Sequence, residues 1–209
     1  MNKRAKVDRI PNPPPSTELP IKFMNLIKDS IMAQGEVVSD GILVIQKQLT
    51  ESDVNLDHNQ FTIPLNQIQK KFLYDQEEDR LRTLKKNGKD SKHISVMFVE
   101  PRCEINALDL KRLSLKKKNK NTKEEEEEEE EEEVFYVLTT RWDLIVEDEE
   151  NKLREGDIVR LWAVRVGTNL WLVLVNNSCN NDIALEGSKA PPPPGFISFR
   201  NKNHVSFYD

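Results

Sequence analysis

The sequence is short of the residues that most catalytic and metal centres are built from. Its 209 residues include only two cysteines, Cys103 and Cys179, and three histidines, His58, His93 and His204. Neither cysteine stands in a CxxC or CxxxH spacing, which argues against a disulfide framework and against a Cys/His zinc site. Two free thiols in a reducing compartment are expected instead. No Ser/His/Asp set, metal cluster or phosphate-cradling glycine loop can be assembled from the residues present. No apolar run approaches the length needed to cross a bilayer. The first ten residues, MNKRAKVDRI, lack the apolar segment of a secretory signal. These absences point to a soluble intracellular protein with no enzyme activity, cofactor, metal, membrane or small-molecule substrate.

Charge is plentiful and unevenly placed. The formal net charge is −5, yet the run Glu124–Glu133 alone accounts for −10, which leaves +5 for the rest. The acidic pI of about 5.4 therefore says little about any one surface. The stretch KKKNKNTKEEEEEEEEEE, from Lys116 to Glu133, passes from lysine to glutamate within one segment. Lysines suit phosphates, and carboxylates repel them, so the meaning of this stretch depends on its place in a fold.

Hydropathy patterning supplies that place. Residues 1–18 form a basic and then proline-rich tail, expected to be disordered. Within it, Lys3, Arg4 and Lys6 fit a minimal nuclear-import pattern, which a solvated basic tail would also produce. Residues 19–40 contain a helix: Phe23, Ile27 and Ile31 recur at i, i+4 and i+8, with Thr17 placed to cap it and Gly35 to end it. From residue 41 the period shortens. Strands are predicted at Ile42–Lys47, Phe61–Ile63, Ile94–Val99, Leu108–Leu115, Val134–Leu138, Ile158–Val166 and Leu170–Val175. The fourth is read with a slip near Arg112, because its leucines change parity there. Leu65, Ile68, Phe72 and Leu73 would share one face of a short helix, and Glu77–Lys86 would form a second helical piece. Trp142–Glu149 is a further helix, with Thr140 as its N-cap and Trp142, Ile145 and Val146 facing inward. Residues 177–209, with Pro191–Pro194, are expected to be a flexible tail. Short strands of antiparallel character across 41–176 predict a mainly β fold, a closed or nearly closed barrel.

IQKQLTESDV…FTIP, VFYVLTTRWDLIVEDE and NKLREGDIVRLWAV carry a resemblance, which LPIKFMNLI near the start and FVEPRCEI in the middle make narrower. Together they resemble the plant-specific B3 DNA-binding domain, and more narrowly a divergent plant subgroup of it, over roughly residues 19–176. The matching positions are Lys47, Thr50, Ser52, Asp53, Val54, Ile63, Pro64, Tyr136–Thr139, Trp142, Leu153, Gly156 and Asp157. The resemblance implies a seven-stranded open pseudobarrel with two short helices, here preceded by an N-terminal helix. It also implies sequence-specific binding of double-stranded DNA in transcriptional regulation, and hence the nucleus. The family grips the major groove between two loop arms, where each base pair shows a distinct pattern of donors and acceptors.

In that layout the first arm lies between the first two strands and the second between the fourth and fifth. The resemblance implies DNA contacts from Lys47, Thr50, Ser52, Asn55, His58, Asn59 and Gln60 in the first arm, with Asn59 and Gln60 suited to adenine. Thr50, Ser52 and Asp53 are equally suited to bonding their own backbone in a turn. In the second arm the expected contacts are Lys116, Lys117, Lys118, Asn119 and Lys120, as mobile charges on phosphate. The acidic insertion, residues 116–133 with its glutamates on the return leg, would compete for those lysines or would be a solvated low-complexity expansion. Gly156 and Asp157 read as turn formers, and Trp142, Trp162 and Trp171 as packing. The weak first arm and acidic second arm also fit a protein-interaction module that kept the barrel and lost DNA binding.

Overall fold

The computed structural model describes residues 18–31, 35–82, 93–116 and 132–176. The expected tails at 1–18, apart from Glu18, and 177–209 lie outside them, as do Lys3, Arg4, Lys6, Thr17, Cys179 and Lys117–Lys120. Seven strands form one sheet: β1 (Ile42–Gln48), β2 (Phe61–Pro64), β3 (His93–Val99), β4 (Ile105–Lys116), β5 (Glu132–Thr139), β6 (Ile158–Val166) and β7 (Asn169–Asn176). Their order is β1-β6-β7-β3-β4-β5-β2. Every neighbouring pair is antiparallel except β3 with β7. The sheet is open, and its two edges, β1 and β2, are consecutive in the chain. Four α-helices join it: α1 (Ile21–Ile31), α2 (Glu51–Val54), α3 (Asp75–Arg82) and α4 (Trp142–Glu147).

The sheet buries both faces where α1 covers it, and the sequence of β6 and β7 shows why. Leu161 and Ala163 of β6 and Leu170, Leu172 and Leu174 of β7 face the inner core, with Val44, Phe61, Ile63, Phe98, Leu108, Leu110 and Leu138. The alternate residues Trp162, Val164, Trp171 and Val173 face outward and pack under Phe23, Ile27 and Ile31 of α1. A strand buried on both sides is apolar on both, as in Leu161–Val164 of β6 and Leu170–Val175 of β7. Burial of each large side chain contributes about 1.5–3 kcal/mol. The helix is thus a layer of the fold rather than an appendage to it.

Three local expectations need correction. β4 has no slip at Arg112: its register is unbroken against both β3 and β5. Leu113 and Leu115 simply point to the uncovered outer face, 38% and 59% exposed. The register shift lies in β1 instead, between Leu43 and Ile45. The carbonyl of Val44, the extra residue there, accepts the Gln69 N–H at 2.8 Å. That bond is the reason for the second correction. The segment after Pro64 makes only a 3₁₀ turn, Leu65–Gln67, before it lies against β1, and no α-helix begins until Asp75. Third, Thr140 does not cap α4, since its hydroxyl donates to Asp109 Oδ2 at 2.8 Å.

Arg165 anchors α3 to β6. Its guanidinium meets Glu77 at 2.8 and 2.5 Å, donates to the Phe72 carbonyl at 2.8 Å, and lies 4.0 Å from the Tyr74 ring centre. Burial opposes charge on Glu77, but the Arg165 hydrogen bond and the Tyr74 N–H hold its carboxyl below the usual range. No helix among the described residues is long and apolar enough to cross a membrane.

Candidate nucleic-acid interface

The first arm, from Leu49 to Gln60, is built around a buried carboxylate. Asp53 has no exposed surface. It accepts the Lys47 ammonium at 2.9 and 2.8 Å, the Thr50 N–H at 2.9 Å, the Thr50 hydroxyl at 2.7 Å and the Thr62 N–H at 3.1 Å. Lys47 completes the knot by donating to the Thr62 carbonyl at 2.9 Å and lying 4.9 Å from the Phe61 ring centre. A buried charge is tolerable when it is paired and its remaining lone pairs are filled, and both conditions hold here. The knot joins β1, α2 and β2, the two edges of the sheet and the arm between them. From α4, Trp142 Nε1 donates to the Asp53 carbonyl at 2.7 Å.

The turn before β6 is fastened to the same place. Gly156 has φ +90°, which favours glycine, and its N–H donates to the Leu49 carbonyl at 2.9 Å. Asp157 returns a carbonyl to the Leu49 N–H at 2.8 Å, and its carboxylate accepts the Arg154 N–H at 3.0 Å. Both residues are turn formers, as their types suggest.

These bonds redistribute the expected contact residues. Lys47 requires correction: an ammonium has three donors, all three are used internally, and its side chain is only 9% exposed. It is a structural cation, out of reach of a phosphate. Asn59 is tied to the next element instead of standing free: its Oδ1 accepts the Asp143 N–H at 3.0 Å, which leaves one lone pair and the amide donors. Asn55 Oδ1 accepts the Asp57 N–H at 2.9 Å in a local turn. The Thr50 hydroxyl serves Asp53 and lies 2.9 Å from Ser52 Oγ. His58 is exposed at the tip beside Leu56 and Asp57, while Ser52 and Gln60 are half-buried.

The second arm rises from the β4–β5 hairpin. Its last described pairs are Leu115 with Glu133 and Lys116 with Glu132. The hairpin is thus two residues longer on the β5 side than the Val134 start expected, and the final two glutamates of the run are strand residues. Phe61, where the first arm ends, pairs with Leu138; Lys116, where the second begins, pairs with Glu132. Six residues of β5 separate them, about 20 Å at 3.3 Å per residue. The two arms are therefore rooted at opposite ends of one strand.

Two features escaped the sequence reading. The FVEPRCEI stretch is a second polar knot. Arg102 meets Glu100, Asp148 and Glu150 at 3.3, 3.1 and 3.4 Å and also pairs with Glu104. Buried Asn151 donates to Glu100 at 2.6 Å. Burial raises the Glu100 carboxyl above its usual range, against the pull of Asn151 and Arg102. This knot ties the β3–β4 turn to the segment after α4 and stands apart from both arms. The second feature is the turn Thr140-Arg141, where both residues have positive φ, +65° and +68°. A run of TTRW offers no glycine to signal it. Trp142, Trp162 and Trp171 are all buried, so none offers a face for base stacking. Cys103 is a free, half-buried thiol. Among the described residues no group of three or more His, Cys, Asp or Glu side chains is placed to hold a metal ion.

A family model described as B3 domain-containing protein At2g31720-like matches residues 18–178. Among curated proteins of Arabidopsis thaliana, the B3 domain-containing protein At3g25182 is 30% identical over 165 residues, covering 78% of this chain and 42% of that protein. The B3 domain-containing protein At5g24050 is 27% identical over 135 residues, covering 65% of this chain and 35% of its own length. The putative B3 domain-containing protein At3g24850 is 29% identical over 166 residues, 78% of this chain and 40% of that one. The chain thus spans between 35% and 42% of the length of these relatives. Among solved structures, the Arabidopsis FUS3-DNA complex aligns with 64% of this chain and 96% of that chain, at 16% identity and a TM-score of 0.35.

Proposed function

This chain belongs to the B3 domain family, and from that premise we propose that it binds double-stranded DNA sequence-specifically, as a nuclear regulator of transcription. The observation that supports the reading best is the placement of the arms. The β1–β2 and β4–β5 segments emerge at opposite ends of β5, about 20 Å apart. That spacing lets two loops approach one duplex from two sides. The lysine-rich start of the second arm supplies phosphate affinity, and the first arm, held rigid by the Asp53 knot, supplies a fixed surface for base edges. His58 and Gln60, whose side chains have no internal bond described above, are the first-arm residues best placed to read bases. Lys116–Lys120 are the proposed phosphate contacts of the second arm. The glutamates lower nonspecific affinity by competing for those lysines, with which they share one hairpin.

One observation favours a second reading. Within Leu49–Gln60 there is no lysine or arginine, and the exposed charged residues are Glu51 and Asp57. An arm so charged would suit a protein partner as well as a duplex. Selection from a randomised duplex pool across a salt series separates the two readings. The intact protein is compared with a deletion of Glu124–Glu131, which spares β5. Enrichment of one motif by both proteins, with affinity falling steeply with salt, is the expected result. Folded protein that binds no duplex would leave the interaction module as the better reading.

A further inference from the structure

The first arm has no cation of its own with which to meet a phosphate, because Lys47 is enclosed with Asp53. An exposed cation nevertheless stands beside it. Arg141 lies on the turn between β5 and α4, and this turn is bonded to the arm rather than merely near it. The Asp143 N–H, two residues on, donates to Asn59 Oδ1 at 3.0 Å. The neighbouring Trp142 is buried and donates to the Asp53 carbonyl at 2.7 Å. On the other side, the Thr140 hydroxyl holds Asp109 at 2.8 Å. Arg141 is therefore fixed in backbone and exposed in side chain. Its backbone has φ +68° and ψ 14°, the left-handed region. That conformation suits glycine and disfavours any residue with a Cβ. Packing does not explain an arginine here, because the side chain is exposed and a glycine would fit the backbone with less strain.

We propose that Arg141 is the phosphate-contacting cation of the first arm, and that the arm is a composite of residues 49–60 and the Thr140-Arg141 turn. The inference rests on the DNA-binding reading above. A guanidinium presents a planar fork of donors that matches phosphate oxygens, and it stays charged at every accessible pH. The bonds of Asn59 and Trp142 then have a role in recognition. They set the distance between the charge that grips the backbone and the arm tip that faces the bases.

The test uses the full chain and three variants, Arg141→Gly, Arg141→Gln and Arg141→Lys, with the duplex enriched by the wild type and with unrelated duplexes. Each phosphate contact contributes about 0.9 to the slope of log affinity against log salt, or about eightfold in affinity between 1 M and 0.1 M salt. Arg141→Gly and Arg141→Gln should each lower the slope by about 0.9 and weaken binding at 0.1 M salt by about eightfold, on every duplex alike. Arg141→Lys should keep the slope. Arg141→Gly should melt no lower than the wild type, since it relieves the left-handed backbone, so its loss of binding cannot be a loss of fold. An unchanged slope in Arg141→Gly and Arg141→Gln overturns the proposal. So does a loss confined to duplexes differing at one base pair, which would mean base reading, or a lower Tm for Arg141→Gly, which would mean packing. The wild type is measured first: if it is folded and binds no duplex, the DNA-binding reading fails and the Arg141 assignment fails with it.

Discussion

The two arms share strand β5 but are held by different physics. The first is anchored by a charge taken out of water: one carboxylate with no exposed surface receives five hydrogen bonds from β1, the arm and β2. The second is a continuation of a two-stranded ribbon whose outer leucines, Leu113 and Leu115, stay in solvent. Removal of one part of the first arm should therefore disturb the fold. Changes toward the end of the second should disturb only what it binds. On the proposed DNA-binding reading the first arm would read bases and the second would hold phosphates, since phosphate contacts carry no sequence information.

The sharpest way to break the contrast is Asp53→Ala. It leaves the Lys47 ammonium buried without its partner and the Thr50 and Thr62 N–H groups unsatisfied. Loss of one member of a buried pair typically costs about 3–5 kcal/mol, read as a shift in the denaturant midpoint at constant slope. The double variant Asp53→Ala with Lys47→Met removes the stranded charge and should recover part of that loss. A single Asp53→Ala variant as stable as the wild type would show that the knot is incidental.

Asn59 should come next in size. Asn59→Ala removes the acceptor for the Asp143 N–H and places a Cβ residue without a local side-chain bond at φ +42°. Loss of a cap of this kind costs about 0.5–2 kcal/mol. Asn59→Gly keeps the backbone easy and loses only the bond, so it should be the milder change. If the glycine variant proved the less stable of the two in thermal unfolding, backbone strain would not be what distinguishes them.

Much of the fold was legible because its signals are local and repeated. All seven strands stand within a few residues of where alternation and β-branched runs put them, and α1 follows from Phe23, Ile27 and Ile31. The errors share a cause. A slip at Arg112 follows only if Leu113 and Leu115 seek the interior, whereas an apolar side chain on the surface is ordinary. The helix read over Leu65–Leu73 is lost to one bond from Gln69 to a bulged carbonyl in β1, which no local pattern shows. The site was harder still. Lys47 looked available because its partner, six residues on, is itself a charged residue that a sequence places at the surface by default. Asn59 and Trp142 find their partners 84 and 89 residues away. A motif can say which residue types recur together. It does not say which donors the fold has already used.

The smallest effect expected on the fold belongs to the second arm. Leu113→Ser or Leu115→Ser should change stability by no more than about 0.5 kcal/mol, as surface substitutions do. Leu110→Ala, earlier on the same strand but fully buried, should cost about 2–5 kcal/mol. The three variants together trace where β4 passes from core to arm. A gradual fall in cost along the strand, or a large loss at Leu115, would mean that this part of the hairpin is packed against something. A step between Leu110 and Leu113 would place the boundary of the folded core where β4 runs past its last pair with β3, His93 with Lys111. It would also leave the lysines beyond Leu115 free to change sequence, and charge, without endangering the barrel that presents them.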